Sequence, residues 1–422
     1  MPIIVILSII PVIIWIFLEP IGSRFSDLNS ITTSLGQILG LVGMTLFSIN
    51  LILAGRLKIL DKYFRGLDKV YMNHSRIGAL AFSLTLFHPI LLVVKVASFS
   101  IRDARLFFVP FLNMPVTWGI ISLFLMIVLI SLTFYIKLKY QVWKMSHKFM
   151  TFAFAFAVLH VLFIQSDVAR SSLLRYYILI LAFVGLAISI RQAFLNKFLS
   201  QKFKYKIINI KELNKEIIEI EMEPVKNKMT FQPGQFAFFS FLGEEIPSES
   251  HPFSISSSET ENNLKIIAKN FGDFTNQLKN LKIGDNISID GPYGGFSYKK
   301  TTNKNQIWIA GGIGITPFLS MTQTLESDYN VDLYYSVKEN NEAVHVEDLQ
   351  NIRNQHPNFQ FNLWNAKDNG YINGGLVSHL SKGLDSKDIF LCGPPLFMEN
   401  LKNQFLALGV DSKRINYENF SF

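Results

Sequence analysis

The sequence predicts a multidomain membrane protein: a six-helix transmembrane bundle, then a small β-barrel, then an α/β Rossmann-like domain. Three observations carry this. Six long apolar segments are confined to residues 1–195, although the chain has 422 residues. Residues 203–298 alternate apolar and polar residues in short runs separated by turn formers, which is the pattern of a small antiparallel barrel. From residue 306 onward, buried-type strands alternate with helical stretches, as in a parallel sheet. The predicted domains are 1–198, 199–300 and 301–422.

The apolar segments are 3–18, 34–54, 77–98, 115–136, 149–165 and 173–190. A helix needs about 20 residues to cross a hydrocarbon core of about 30 Å, and most of them are near that length. The first is short and contains Pro11. It has neither a basic leading region nor a small-residue cleavage site, so it reads as a retained span. Basic loop residues set the orientation. Arg56, Lys58, Lys62, Arg65 and Lys69 follow the second span; Lys137, Lys139, Lys144 and Lys148 follow the fourth; Arg191, Lys197, Lys202 and Lys204 follow the sixth. The opposite loops hold only Arg24, Arg102, Arg105, Arg170 and Arg175. Both termini are therefore expected in the cytoplasm, with the chain threaded several times through the cell membrane. The net charge of +8 belongs to these loops. No basic stripe is interleaved with stacking aromatics, which argues against nucleic acid. A single cysteine, Cys392, excludes an internal disulfide and a CxxCH haem attachment.

Two of the apolar stretches carry histidine pairs: His74 and His88, 14 residues apart, and His147 and His160, 13 apart. Imidazoles are costly in hydrocarbon and mark function by default. Two matched pairs point to two bis-histidine haems. Ligation on both axial sides favours electron transfer over oxygen binding at iron. Spans three and five run the same way, so His74 matches His147 in depth and His88 matches His160. Fourteen residues separate the two levels by about 21 Å. At about 100° per residue, 14 steps return to within about 40° of the same face, whereas 13 miss by about 140°. Either span five is overwound or kinked, or the two haems are rotated relative to one another.

In the second half, His251-Pro252-Phe253-Ser254-Ile255-Ser256 enters the barrel on a strand. Ser254 and the backbone suit the polar edge of a flavin, with Phe253 packing beside it. Gly272-Asp273-Phe274-Thr275 opens a helical stretch, offering N–H groups and a hydroxyl to a diphosphate. Gly311, Gly312 and Gly314 follow a buried strand and let the backbone approach a pyrophosphate, and Thr316-Pro317 then starts a helix. Cys392-Gly393-Pro394 follows another buried strand, where a second contact to the same ligand is expected. The chain ends Tyr417-Glu418-Asn419-Phe420-Ser421-Phe422, an aromatic end that is either ordinary packing or a removable lid on a flavin face.

Taken together, these motifs resemble the NADPH oxidases (NOX), most closely the compact bacterial form, over nearly the whole chain. The resemblance implies a ferric reductase-like transmembrane domain, an FAD-binding β-barrel and an NAD(P)H-binding α/β domain. It implies FAD, two haem b and NADPH (or NADH). His74 and His147 would ligate the inner haem, His88 and His160 the outer. His251 to Ser254, with Ser256, would hold the flavin; Gly272, Asp273 and Thr275 its diphosphate. Gly311 to Pro317 would take the NADPH pyrophosphate, and Cys392-Gly393-Pro394 would lie by the nicotinamide. Phe422 would stack on the isoalloxazine and yield to nicotinamide, with Phe420 the alternative in a register shifted by two.

The implied activity moves electrons from cytosolic NAD(P)H to an acceptor outside, with O2 reduced to superoxide as the leading reading. A ferric or cupric reductase, and an electron donor to a membrane partner or quinone, share that path. Three departures from the family stand out. Where animal oxidases carry an Arg after the second nucleotide strand, this chain has Lys338, near Ser336: a point charge without the planar fork. Leu92 stands four residues after His88, in place of a polar residue. No calcium-binding loop precedes the first span, which implies constitutive activity without an obligatory protein partner.

Overall fold

In a computed structural model of the chain, residues 2–136, 138, 140–195, 202–243, 246–247 and 249–418 are described. Lys137, Lys139, Lys197, Phe420 and Phe422 lie outside them. The chain forms two compact units: Met1–Leu57 with Val70–Leu199, and Lys58–Lys69 with Ser200–Phe422.

The first unit is helical. Five described helices are long and apolar enough to cross a membrane: Leu28–Leu53, Leu67–Phe99, Met114–Phe134, Gln141–Phe163 and Ser172–Leu195. The first apolar segment forms Pro2–Ile16, whose 15 residues reach only about 22 Å. Side chains set the starts. Asp27 accepts from Ser30 N, Asn113 from Val116 N and Ser171 from Leu174 N, each satisfying an amide that the helix leaves open. The span Leu28–Leu53 carries the densest buried stretch, from Leu41 to Leu53. It packs closely on Ser172–Ile190: a Cβ on Gly185 would lie 2.8 Å from the Ser48 carbonyl oxygen. Arg24 is buried against Asp167 (3.0 Å), the Trp15 carbonyl (3.0 Å) and the Trp15 ring (3.7 Å).

The third span starts at Leu67, ten residues before the predicted 77. Residues 67–76 are too polar for a hydropathy signal, yet they continue the helix and carry His74 within it. The fifth span is locally overwound. Its two helices, Tyr140–Lys148 and Met150–Phe163, meet at Phe149. There Phe149 N donates to Ser146 O (3.0 Å) and Phe152 N to Phe149 O (2.9 Å), both i to i−3. Such turns advance about 120° per residue and so overwind the span in the sense required.

The second unit begins with an antiparallel sheet: β1 (Phe203–Asn214), β2 (Ile217–Pro224), β3 (Phe236–Phe241), β4 (Ser250–Ser254), β5 (Leu264–Lys269) and β6 (Asn286–Tyr293). Their order is β4-β3-β6-β1-β2-β5, and an Ile255–Ile266 bridge brings the two ends together into a barrel. Inside lie Tyr205, Ile220, Phe239, Ile266 and Ile289. A parallel sheet follows: β7 (Asn305–Gly311), β8 (Asn330–Val337), β9 (Phe359–Asn365), β10 (Asp388–Cys392) and β11 (Ile415–Tyr417), in the order β11-β10-β7-β8-β9. The chain steps outward from β7 to β9, then returns to the other side of β7 as β10. The strand order therefore reverses between β7 and β10, which is where open α/β sheets bind ligands. Both sheets feed one core, with Ile217 and Phe296 packed among Trp308, Phe318 and Tyr335. Residues 58–69, expected as a loop of the first domain, pack in this second unit. Asp61 Oδ1 accepts from Gly294 N (3.4 Å), and a Cβ on Gly295 would lie 2.3 Å from Arg65 O.

His345 joins the barrel to the parallel-sheet lobe. Its Nε2 lies 3.0 Å from Glu219 of β2, and its Nδ1 2.7 Å from Asp348. The Glu219 contact is misaligned for a hydrogen bond and acts as an ion pair. Glu219 first, then Asp348, raises the His345 pKa against the opposing effect of burial. A raised folded-state value gives stability that is full below the unfolded value, about 6.5, and is lost as pH climbs through the folded value. The thermal midpoint of this unit is expected to rise on going from about pH 8 to about pH 6. His345→Ala should flatten that rise, which scanning calorimetry of the whole protein at several pH values would read.

Candidate functional site

The histidines of the first unit come together in the pairs expected by depth. The ring centroids of His74 and His147 are 6.1 Å apart, and those of His88 and His160 are 6.5 Å apart. A metal–nitrogen bond of about 2.0–2.1 Å on each side, plus about 1.1 Å from nitrogen to ring centre, gives about 6.3 Å. Each pair is thus spaced for one metal ion held between two imidazoles. Among the described residues, the third and fifth spans make no extended close-packed seam with each other. That separation suits a planar group held from both faces.

The supports of these rings were not legible in the sequence. His74 Nδ1 faces Asn50 O (3.0 Å), His88 Nδ1 faces Gly36 O (2.7 Å) and His160 Nδ1 faces Pro115 O (2.7 Å). A carbonyl only accepts, so each Nδ1 carries the proton and each Nε2 keeps its lone pair for a metal. His147 is held differently, its ring stacked on Trp143 at 5.5 Å. Glycines make room: a Cβ on Gly40 would lie 2.8 Å from His88 Nδ1, and one on Gly119 3.0 Å from His160 Nδ1. Glycines inside apolar spans were the available signal.

In the second unit the glycine loops of β7 and β10 press together at the reversal point. A Cβ on Gly314 would lie 2.3 Å from Cys392 O and 2.7 Å from Gly393 N. Gly312 has φ +54°, in the left-handed region. A short 3₁₀ turn, Gly312–Ile315, leads into the helix Thr316–Thr322, with Pro317 at its start. Burial, then the Glu418 charge, raises the Cys392 thiol, which stays protonated. Cys392 therefore offers shape and polarisability, with no thiolate. Ser336 pairs in register with Gly311 across β7 and β8, and exposed Lys338 follows. The β8–β9 pairing brings Lys367 there as well: its N donates to Lys338 O (3.1 Å) and its Nζ meets Glu339 (2.8 Å). Lys367 and Glu339 were missed because only that pairing makes them neighbours.

The flavin-type motifs depart from expectation at the Thr275 turn. Phe253 is half-buried. Strand alternation puts it with His251 on the barrel side, where its ring meets Phe239 (6.0 Å) and Phe241 (6.2 Å). Pro252 and Ser254 alternate to the opposite face. His251 stacks on Phe274 at 3.6 Å and pairs with Glu249 at 3.1 Å, which joins β4 to the Gly272–Thr275 turn. That turn opens a 3₁₀ helix, Thr275–Asn280, and two of its amides are taken. Phe271 N and Gly272 N donate to Thr275 Oγ1 at 2.9 and 3.0 Å. A short Asx-like closure by Thr275 wins over an open N-terminus there. Asp273 is exposed beside it. Ser256 is 3% exposed, and its hydroxyl has no partner among the described residues, so it is a buried polar atom suited to a polar ligand. Ser320 Oγ donates to Ser257 O (2.7 Å) and Gln323 Nε2 to Ser256 O (2.9 Å), tying the barrel strand to the helix after the glycine loop.

A helical unit with paired histidines is thus followed by an antiparallel barrel and by a parallel sheet whose strand order reverses at two glycine loops. Three family profiles tile the chain: "Ferric reductase like transmembrane component" over residues 39–166, "FAD-binding domain" over 202–297 and "Oxidoreductase NAD-binding domain" over 308–403. The chain is thus a NOX-like fusion of a ferric reductase-like transmembrane domain with a ferredoxin–NADP reductase-type module.

The toluate 1,2-dioxygenase electron transfer component of Pseudomonas putida is 26% identical over 227 residues, covering 51% of this chain and 66% of that protein. The propane 2-monooxygenase reductase component of Rhodococcus jostii is 23% identical over 241 residues, covering 52% and 64%. One component of the Na(+)-translocating NADH-quinone reductase of Idiomarina loihiensis is 26% identical, covering 35% and 40%. The chain therefore spans less than two thirds of the length of each. Among solved structures, a ferredoxin NADP+ reductase from Neisseria gonorrhoeae is 21% identical, covering 52% of this chain and all of that one, with a TM-score of 0.47.

Proposed function

We propose that this protein is a cell-membrane NAD(P)H oxidase that carries electrons from cytosolic NAD(P)H to an acceptor on the far side, with dioxygen reduced to superoxide. FAD would convert hydride into single electrons, and two b-type haems would conduct them. The observation that carries the reading is the pair of imidazole pairs at 6.1 and 6.5 Å, set at two depths on the third and fifth spans. His74 and His147 would hold the cytoplasmic haem, His88 and His160 the outer one. Bis-histidine sites leave no axial position open, which favours conduction over oxygen binding at iron. The FAD side would use Ser254, Ser256 and the Gly272–Thr275 turn, and the terminal Phe422 would cover the flavin until nicotinamide displaces it. Gly311, Gly312 and Gly314 let the backbone approach a pyrophosphate, and the helix starting at Thr316-Pro317 directs its N-terminus there. Basic loops on one side support cytoplasmic termini.

The test is NADPH-driven reduction of cytochrome c by the purified protein. Superoxide production requires that superoxide dismutase suppress it. Reduction insensitive to dismutase, with ferric or cupric chelates or a quinone consumed instead, would overturn the oxidase reading. In the same assay Lys338→Ala should raise the KM for NADPH by about tenfold while leaving that for NADH within about twofold, as expected for one phosphate contact of about 1–2 kcal/mol.

A further inference from the structure

Glu418 is 2% exposed, and neither carboxylate oxygen has a hydrogen-bond partner among the described residues. It follows β11, one position beyond Tyr417, which pairs with Leu391, so it stands level with Cys392 at the end of β10. The stretch 58–69 packs on the same place. Asp61 Oδ1 accepts from Gly294 N (3.4 Å), and a Cβ on Gly294 would lie 2.4 Å from Glu418 Oε1. Lys69 Nζ lies 5.8 Å from the centre of the Tyr417 ring, with Lys402 Nζ 4.5 Å from the same centre. We infer that Asp61, between the second and third spans, and Asp68, in the first turn of the third, are positioning residues that govern Glu418 beside the nicotinamide end of the nucleotide site. The inference rests on the proposed reading of Cys392-Gly393-Pro394 as that end.

Three carboxyl groups and two amines meet here: Asp61 and Asp68 with Lys69 from the 58–69 stretch, Glu418 after β11, and Lys300 after β6. Cys392 on β10 is raised further once Glu418 ionises. Burial, then Asp68 and Asp61, raises the Glu418 pKa, and Lys300 and Lys69 only partly oppose this. Asp61 is itself raised by burial, though it has the Gly294 amide and Lys300 to hold its charge. The cluster therefore keeps a proton, and Glu418, without a donor, is where it resides. Ionising Glu418 adds a buried negative charge to a site that takes an anionic dinucleotide, which opposes binding. The 58–69 stretch thereby sets the pH above which the nucleotide site weakens.

The experiment uses the full-length, flavin-loaded protein in lipid nanodiscs. Infrared difference spectra over about pH 6 to 10 follow the protonated-carboxyl band that Glu418→Gln removes. In Asp61→Asn and Asp68→Asn the band should vanish about one pH unit lower than in the wild type, while Asp61→Glu should restore the original midpoint. The kcat/KM for flavin reduction by NADPH should fall with the same midpoint in each protein and lose that pH dependence in Glu418→Gln. Flavin that is reduced normally, with a band midpoint unmoved in both Asn variants, overturns the role of Asp61 and Asp68. Flavin reduced by neither NADPH nor NADH in the wild type overturns the nicotinamide reading on which the role rests.

Discussion

On the proposed reading, the double substitution His74→Ala and His88→Ala is expected to abolish the b-type haem absorbance of the purified protein, and either single substitution to remove about half of it. Each imidazole donates its Nδ1 hydrogen to a backbone carbonyl, at 3.0 Å for His74 and 2.7 Å for His88, which leaves its Nε2 lone pair for a metal. Alanine removes one of two axial bonds and leaves the opposite ring facing a site with no second ligand. The carbonyls of Asn50 and Gly36 keep their helical bonds, so the fold has little reason to fail. Haemochrome quantitation and reduced-minus-oxidised spectra measure the result. His251→Ala serves as the control, because that histidine lies in the barrel, stacked on Phe274. Full haem content in the double variant would eliminate this ligand set.

Gly314→Ala should be the most damaging single change in the nucleotide lobe. The added Cβ would lie 2.3 Å from Cys392 O and 2.5 Å from Cys392 C. These are backbone atoms, so no side-chain rotation relieves the contact, and the loops after β7 and β10 must part. Overpacking of this kind costs about 1–3 kcal/mol, and every 1.4 kcal/mol or so withdrawn from binding is tenfold in affinity. Nucleotide affinity is expected to fall by about tenfold or more, read as Kd for NADP+ by calorimetry, with a lower thermal midpoint. Gly312→Ala tests the mechanism, since nothing lies within 4 Å of its Cβ and only its φ of +54° resists substitution. It should cost about 1 kcal/mol and leave the loops in contact. Equal effects at the two positions would refute the steric account.

The overwound fifth span shows how far spacing arithmetic reaches. Thirteen residues between His147 and His160 left extra winding or rotated haems as the two readings, and the i to i−3 bonds at Phe149 contribute winding of about 20° per residue in the right sense. The arithmetic could not locate that turn, because nothing in the local sequence around Phe149 breaks a helix. Phe253 teaches the reverse. Its neighbours Pro252 and Ser254 were legible as a motif, but which of them faces the barrel depends on register with Phe238 and Phe236 of β3. Thr275 was expected to serve a ligand directly and instead takes two amides of its own turn.

Sequence alone determined the apolar spans, the pairing of the histidines, the barrel strands and the strand–glycine–helix loop after β7. Each is written in hydropathy, periodicity or turn chemistry within some twenty neighbouring residues. Tertiary structure alone decided the rest: the carbonyls of Gly36, Asn50 and Pro115 behind the histidines, Lys367 beside Lys338, and the packing of residues 58–69 in the second unit. Those contacts join groups tens to hundreds of residues apart. Backbone carbonyls have no signature in the sequence, and a charged loop reads the same whether water or Glu418 lies opposite it.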